Sequence, residues 1–79
     1  MNTFKLSNVS VAKMRKLLIH QGFTYSHTNG DHEIWTKEGA TRPCVLPTSK
    51  DPVAEFIVKN LMKIMGLSRK EAKEIIPRL

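Results

Sequence analysis

Val11, Met14, Leu17 and Leu18 recur at three- and four-residue intervals, the spacing that gathers apolar side chains on one face of a helix. Ser10 is a suitable N-cap, and Gly22 stands where a C′ glycine ends a helix. A first helix is therefore predicted over residues 10–21, with Lys13, Arg15, Lys16 and His20 mostly on its polar side. From Phe23 the pattern changes to alternation, and residues 23–28 read as a strand. Asn29-Gly30 is a type I′ hairpin signal. A two-residue loop there pairs His27 with His32 and Tyr25 with Ile34. Phe23, Tyr25, Ile34 and Thr36 then fall on the core face, with His27 and His32 at its rim. Glu33, Trp35 and Lys37 fall on the open face.

A third strand is predicted over residues 41–46. A three-residue loop at Glu38-Gly39-Ala40 is preferred, because it pairs Cys44 with Ile34 and sends Cys44 and Leu46 to the core. Pro43 marks this strand as an edge. Asp51-Pro52 looks like an N-cap followed by a first-turn proline. Val53, Phe56, Ile57, Leu61, Ile64 and Met65 then form an apolar stripe up to Gly66. Ser68-Arg69-Lys70-Glu71 is a capping box for a short last helix, with Ala72, Ile75 and Ile76 as its buried residues. Leu67 and these isoleucines are too apolar to leave in water, so residues 67–79 are expected to pack on the domain. The pattern as a whole describes an α+β layer: a three-stranded antiparallel sheet with helices on one face.

Composition narrows the possibilities. A chain of 79 residues is expected to be a single domain, 1–79, with a compact core. It has no apolar run of the roughly 20 residues that span a bilayer. Its start, Met1-Asn2-Thr3-Phe4-Lys5, lacks the apolar core of a signal peptide. The one cysteine, Cys44, cannot form an internal disulfide. A cytoplasmic location is expected on these grounds. Thirteen Lys and Arg against seven Asp and Glu give a net charge of +6, which favours a polyanionic partner such as nucleic acid. Cys44 and the three histidines show no metal-ligand spacing, so no metal or other cofactor is expected.

Four features now stand in one order. They are Gly22-Phe23 after a basic helix, Gly30-Asp31-His32 at a turn, a hairpin leading to Val45-Leu46-Pro47, and a second helix. In this order the chain resembles the HicA family of toxin ribonucleases over roughly residues 9–76. The resemblance implies an α-β-β-β-α fold like a double-stranded-RNA-binding domain, here with a short extra C-terminal helix. It also implies cleavage of mRNA and neutralisation by a HicB-like antitoxin protein that covers the active site. It assigns the catalytic role to the histidine of the Gly-x-His element, which is His32, presented by the turn residues Gly30 and Asp31. The chain departs from the common pattern at Asp31, where serine is frequent, and at Asn29, where Lys or Arg is frequent. Asp31 would favour the charged form of His32 and would also repel phosphate, which bears on the level of activity rather than on the fold.

RNA is cut without a metal when a base takes the proton of a 2′-hydroxyl and an acid protonates the leaving 5′-oxygen. Histidine suits either role. In the predicted register His27 lies across from His32, near enough to act as its acid/base partner. Lys13, Lys16, Arg42 and Lys50 are the candidate phosphate contacts; four such contacts would make RNA binding fall with salt at a log–log slope of roughly −3 to −4. Trp35 is a candidate for base stacking. The alternative to an enzyme is a catalytically silent RNA-binding module on the same fold.

Overall fold

A computed structural model describes residues 5–79; the start of the chain at Met1–Phe4, where a signal-peptide core was sought above, lies outside them. After a 3-10 turn at Leu6–Asn8 come helix α1 (Val11–His20), strands β1 (Thr24–Asn29), β2 (His32–Thr36) and β3 (Cys44–Pro47), and helices α2 (Glu55–Met65) and α3 (Arg69–Ile75). A second 3-10 turn, Ile76–Arg78, follows. The strands form one antiparallel sheet in the order β1-β2-β3, so β3 is an edge as Pro43 suggested, although Pro43 itself precedes the strand. The α+β class with helices against an open three-stranded sheet is what the sequence pattern describes.

Both long helices end the same way. Gly22 N–H donates to the Ile19 carbonyl and Phe23 N–H to the Leu18 carbonyl, with Gly22 at φ +86°. Gly66 N–H and Leu67 N–H repeat this pattern on Lys63 and Met62. These are Schellman closures, which satisfy the last carbonyls and seat an apolar residue just beyond the glycine. Phe23 and Leu67 are accordingly buried. At the other end of α1, Ser10 Oγ accepts from Lys13 N–H at 3.0 Å. Ser68 and Glu71 cap α3 reciprocally.

The sheet departs from the expected register, and the departure decides which side chains are available. Asn29 pairs with His32, Thr28 with Glu33 and His27 with Ile34. The hairpin loop is thus Gly30-Asp31 rather than Asn29-Gly30. Gly30 takes φ +64° and Asp31 a negative φ, the signs of a II′ turn, which wants glycine at its first loop position. A bulge at Ser26 then switches the side on which β1 points, because Tyr25 pairs with Trp35. In the second ladder Cys44 pairs with Trp35 and Ile34 with Val45. Glu33 and Trp35 therefore face the helices, while His32 and Ile34 point the other way. The register buries the largest side chain of the sheet: Trp35 is 5 % exposed beside fully buried Cys44 and Leu46. Tyr25, expected in the core, is 52 % exposed and meets Trp35 edge-on.

Helix α2 begins three residues later than Asp51-Pro52 implies, with Ala54 as its N-cap. The Asp51 carboxylate is a cap, but it accepts from Val11 N–H at 3.1 Å, at the start of α1. Val53 N–H in turn donates to the Val9 carbonyl. The loop before α2 is thus tied to α1, and the inward face of α2 is Val58, Leu61 and Met62. Phe56, counted above as core, stands 74 % exposed. Residues 67–79 do pack on the domain, with Leu67, Ala72 and Ile76 in the core. No described helix is long and apolar enough to cross a membrane.

Candidate functional site

His32 opens β2 directly after the Gly30-Asp31 turn. The turn is held in place from outside the hairpin: Thr48 donates to the Asp31 carbonyl through both its N–H, at 2.8 Å, and its hydroxyl, at 2.9 Å. His32 is cross-strand from Pro47, and its side chain is 51 % exposed. Its Nδ1 lies 3.5 Å from Asp31 Oδ1, close enough for attraction but beyond a good hydrogen bond.

An open groove of about 490 Å³ runs from His32 along the seam between β3 and α2. Val45 and Pro47 line its sheet side; Phe56, Ile57, Lys59, Asn60 and Lys63 line its helix side. Lys59 Nζ is 2.9 Å from Glu55 Oε2, an i,i+4 pair that fixes it along the helix. Lys63 has no ion pair among the described residues. The sequence reasoning missed Lys59, Asn60 and Lys63. The signal was present, because residues 56, 59, 60 and 63 share one helical face, but the stripe was read as facing inward through Phe56.

The other candidates divide. His27 pairs with Ile34, not His32. It is a diagonal neighbour of His32 on the same face, at a typical Cα separation of about 7–8 Å, and its Nδ1 meets Ser26 Oγ at 3.0 Å. Lys50 lines a depression that adjoins the groove and shares Pro47, Phe56 and Ile57 with it. Lys13 is hydrogen-bonded to the Leu79 carbonyl oxygen. Lys16 is exposed on α1, the helix that packs on the opposite face of β2 from His32. Arg42 precedes β3, at the end of that strand away from Pro47. Lys13, Lys16 and Arg42 therefore do not gather around His32. Trp35 corrects the sequence reading outright: buried against the helices, its ring has no face to offer a base.

Trp35 instead helps build the support behind His32. Its Nε1 donates to Glu33 Oε1 at 3.2 Å, and Arg15 grips the same carboxylate through Nε and through Nη2, the latter at 2.7 Å. The hydrogen bond from Arg15 is the main reason the Glu33 carboxyl lies below its ordinary range; burial opposes it, and the Trp35 hydrogen bond and the Arg15 charge add smaller lowering effects. This fixes α1 to β2 one residue from His32. Cys44 plays no part in chemistry at the groove: burial pushes its thiol up to about 11, so at neutral pH it is a protonated core residue. Among the described residues no three His, Cys, Asp or Glu side chains converge in a way that would hold a metal ion.

Chemically, the groove presents one half-exposed imidazole beside ammonium groups, a combination suited to proton transfer next to a phosphate. No curated protein and no solved structure matches the chain significantly. Residues 11–67 match the family model described as the HicA toxin of bacterial toxin–antitoxin systems. The matched span runs from the first residue of α1 to the Schellman closure of α2, and so contains the whole sheet, the Gly30-Asp31 turn, His32 and the groove. The chain belongs to the HicA toxin family.

Proposed function

We propose that this toxin is a ribonuclease that cleaves mRNA by metal-independent general acid/base catalysis centred on His32. The observation that supports the reading is the position of His32: half exposed, at the head of β2 directly after a pinned turn, lining a groove whose other ionisable residues are lysines. In the reaction a base takes the proton from a 2′-hydroxyl. The freed oxygen bonds to the adjacent phosphorus, and the bond from phosphorus to the 5′-oxygen breaks. An acid returns a proton to that oxygen, leaving a 2′,3′-cyclic phosphate and a 5′-hydroxyl. His32 performs one of the two proton transfers. His27, on the same face of the hairpin, is the candidate for the other. Lys63 stabilises the charge that builds on the phosphate oxygens.

A toxin of this family works against an antitoxin partner. A HicB-like antitoxin seated over the groove would shut off both substrate access and His32, and its contact surface should complement a net charge of +6.

The test is incubation of the purified chain with mixed RNA in EDTA, beside His32→Ala. His32 is exposed, so the variant should fold. Loss of a general acid or base lowers the rate about 10²–10⁴-fold. Cutting by the wild type alone is the expected result. RNA that is bound by both proteins but cut by neither would identify a catalytically silent RNA-binding module instead.

A further inference from the structure

Phe56 is the most exposed large apolar side chain described, at 74 %, and it lines the same groove as His32. A phenylalanine this far out of the core contributes little to folding. Asn60 and Lys63 follow it at i+4 and i+7, so the three occupy one stripe of α2 about 10 Å long. That stripe offers an aromatic face, an amide that can donate or accept, and a cation, in that order.

We propose that Phe56 is the platform on which an unpaired base of single-stranded RNA stacks beside His32, with Asn60 as the hydrogen-bonding neighbour of that base and Lys63 as the contact to an adjoining phosphate. The inference rests on the ribonuclease reading for its substrate and adds what selects that substrate. Charge supports this occupant. The ionisable residues of the groove wall are His32, Lys59 and Lys63, with no carboxylate among them, and Lys50 extends the basic lining into the adjoining depression. The nearest acidic side chain on the helix, Glu55, is held by Lys59. A strand of phosphates matches such a wall. The ring then decides between forms of RNA. In a duplex the base faces are covered by their neighbours, so only an unpaired base can present one to an aromatic side chain. A fold resembling a double-stranded-RNA-binding domain would here take single strands along α2.

The experiment measures binding in the His32→Ala background, so that cleavage does not intervene. The probes are a short fluorescein-labelled RNA of mixed sequence and the same strand annealed to its complement. Phe56→Ala should weaken single-strand binding about 5- to 150-fold, the range for losing one stacked base, with little change for the duplex. Phe56→Trp should retain single-strand affinity, and RNA should quench the new exposed indole, whereas Trp35 is buried and insensitive. Phe56→Leu should behave like Phe56→Ala, because it keeps apolar area without an aromatic face. Unchanged affinity in Phe56→Ala, or full retention by Phe56→Leu, would overturn the proposal and leave Phe56 as a protein-contact residue. Cleavage that persists in His32→Ala would overturn the catalytic reading alone, since these affinities do not depend on it.

Discussion

Asp31 places a carboxylate 3.5 Å from the imidazole that the proposed reaction uses. Two effects oppose each other there. The carboxylate attracts a cationic imidazole, and it repels the phosphate that must approach the same ring. A phosphate about 4 Å from a carboxylate is opposed by about 1 kcal/mol even in water. Repulsion should therefore win. Asp31→Ser should bind single-stranded RNA about fivefold more tightly at low salt, and the gain should shrink as salt rises. Fluorescence anisotropy across a salt series measures both, and equal affinity in the two proteins would show that Asp31 matters only to the turn. At this scale the site was partly legible. Gly30, Asp31 and His32 form a contiguous motif whose turn needs a glycine, so they could be found by reading along the chain. Lys59, Asn60 and Lys63 could not be attached to His32 that way, because a groove between a strand and a helix is a product of packing.

Between elements, the errors share one cause. The alternation of β2 is compatible with either face, and only pairing chooses. A bulge at Ser26 and a loop shifted by one residue gave Trp35 to the core and His32 to the groove; neither feature has a sequence signal as strong as Asn29-Gly30. Helix ends were easier, because glycine and serine caps act through bonds a few residues away. Asp51 shows the limit: the cap signal was real, but its recipient, Val11, lies 40 residues earlier. The clamp from Arg15 on α1 to Glu33 on β2 is the contact that makes the chosen face cohere, and its strength can be titrated. Glu33 has a depressed carboxyl in the folded chain. Its contribution is present above the ordinary carboxylate range near 4.5 and is lost as pH falls through the lower, folded value. Glu33→Gln should cost about 1 kcal/mol at neutral pH, discounted because Arg15 is partly solvated. The difference from wild type should fade as pH drops below the ordinary carboxylate range. Urea unfolding at neutral and acidic pH reads this directly, and a gap that stays constant with pH would remove the ion pair from the account.

At the scale of the molecule, the family match and the structural domain do not have the same ends. The match stops at Leu67, yet the core continues through Ala72 and Ile76, with Ile75 and Leu79 packed against it, and Lys13 on α1 meets the Leu79 carbonyl. A chain this short has little core to spare, since small domains bury only about 60 % of the surface their unfolded chains expose. The last helix and turn should therefore be structural staples of this chain rather than a detachable tail. Ile76 is 2 % exposed, and it lies on the appended segment, away from His32 in the sequence and outside the residues that line the groove. Ile76→Ala removes buried methylenes and leaves a cavity, a change that costs about 2–4 kcal/mol in a packed core. In a domain of this size each kcal/mol moves the midpoint by roughly 4–8 °C, so melting should fall by roughly 10–30 °C. The same variant, assayed well below its new midpoint, should bind and cut RNA as the wild type does, because nothing in the groove depends on that side chain. A small shift in melting would mean that the matched span folds without its C-terminal segment. A large shift accompanied by loss of RNA affinity at low temperature would mean that α3 also shapes the groove. The expected pairing, a large loss of stability with the site intact, separates what holds this chain together from what it presents to RNA.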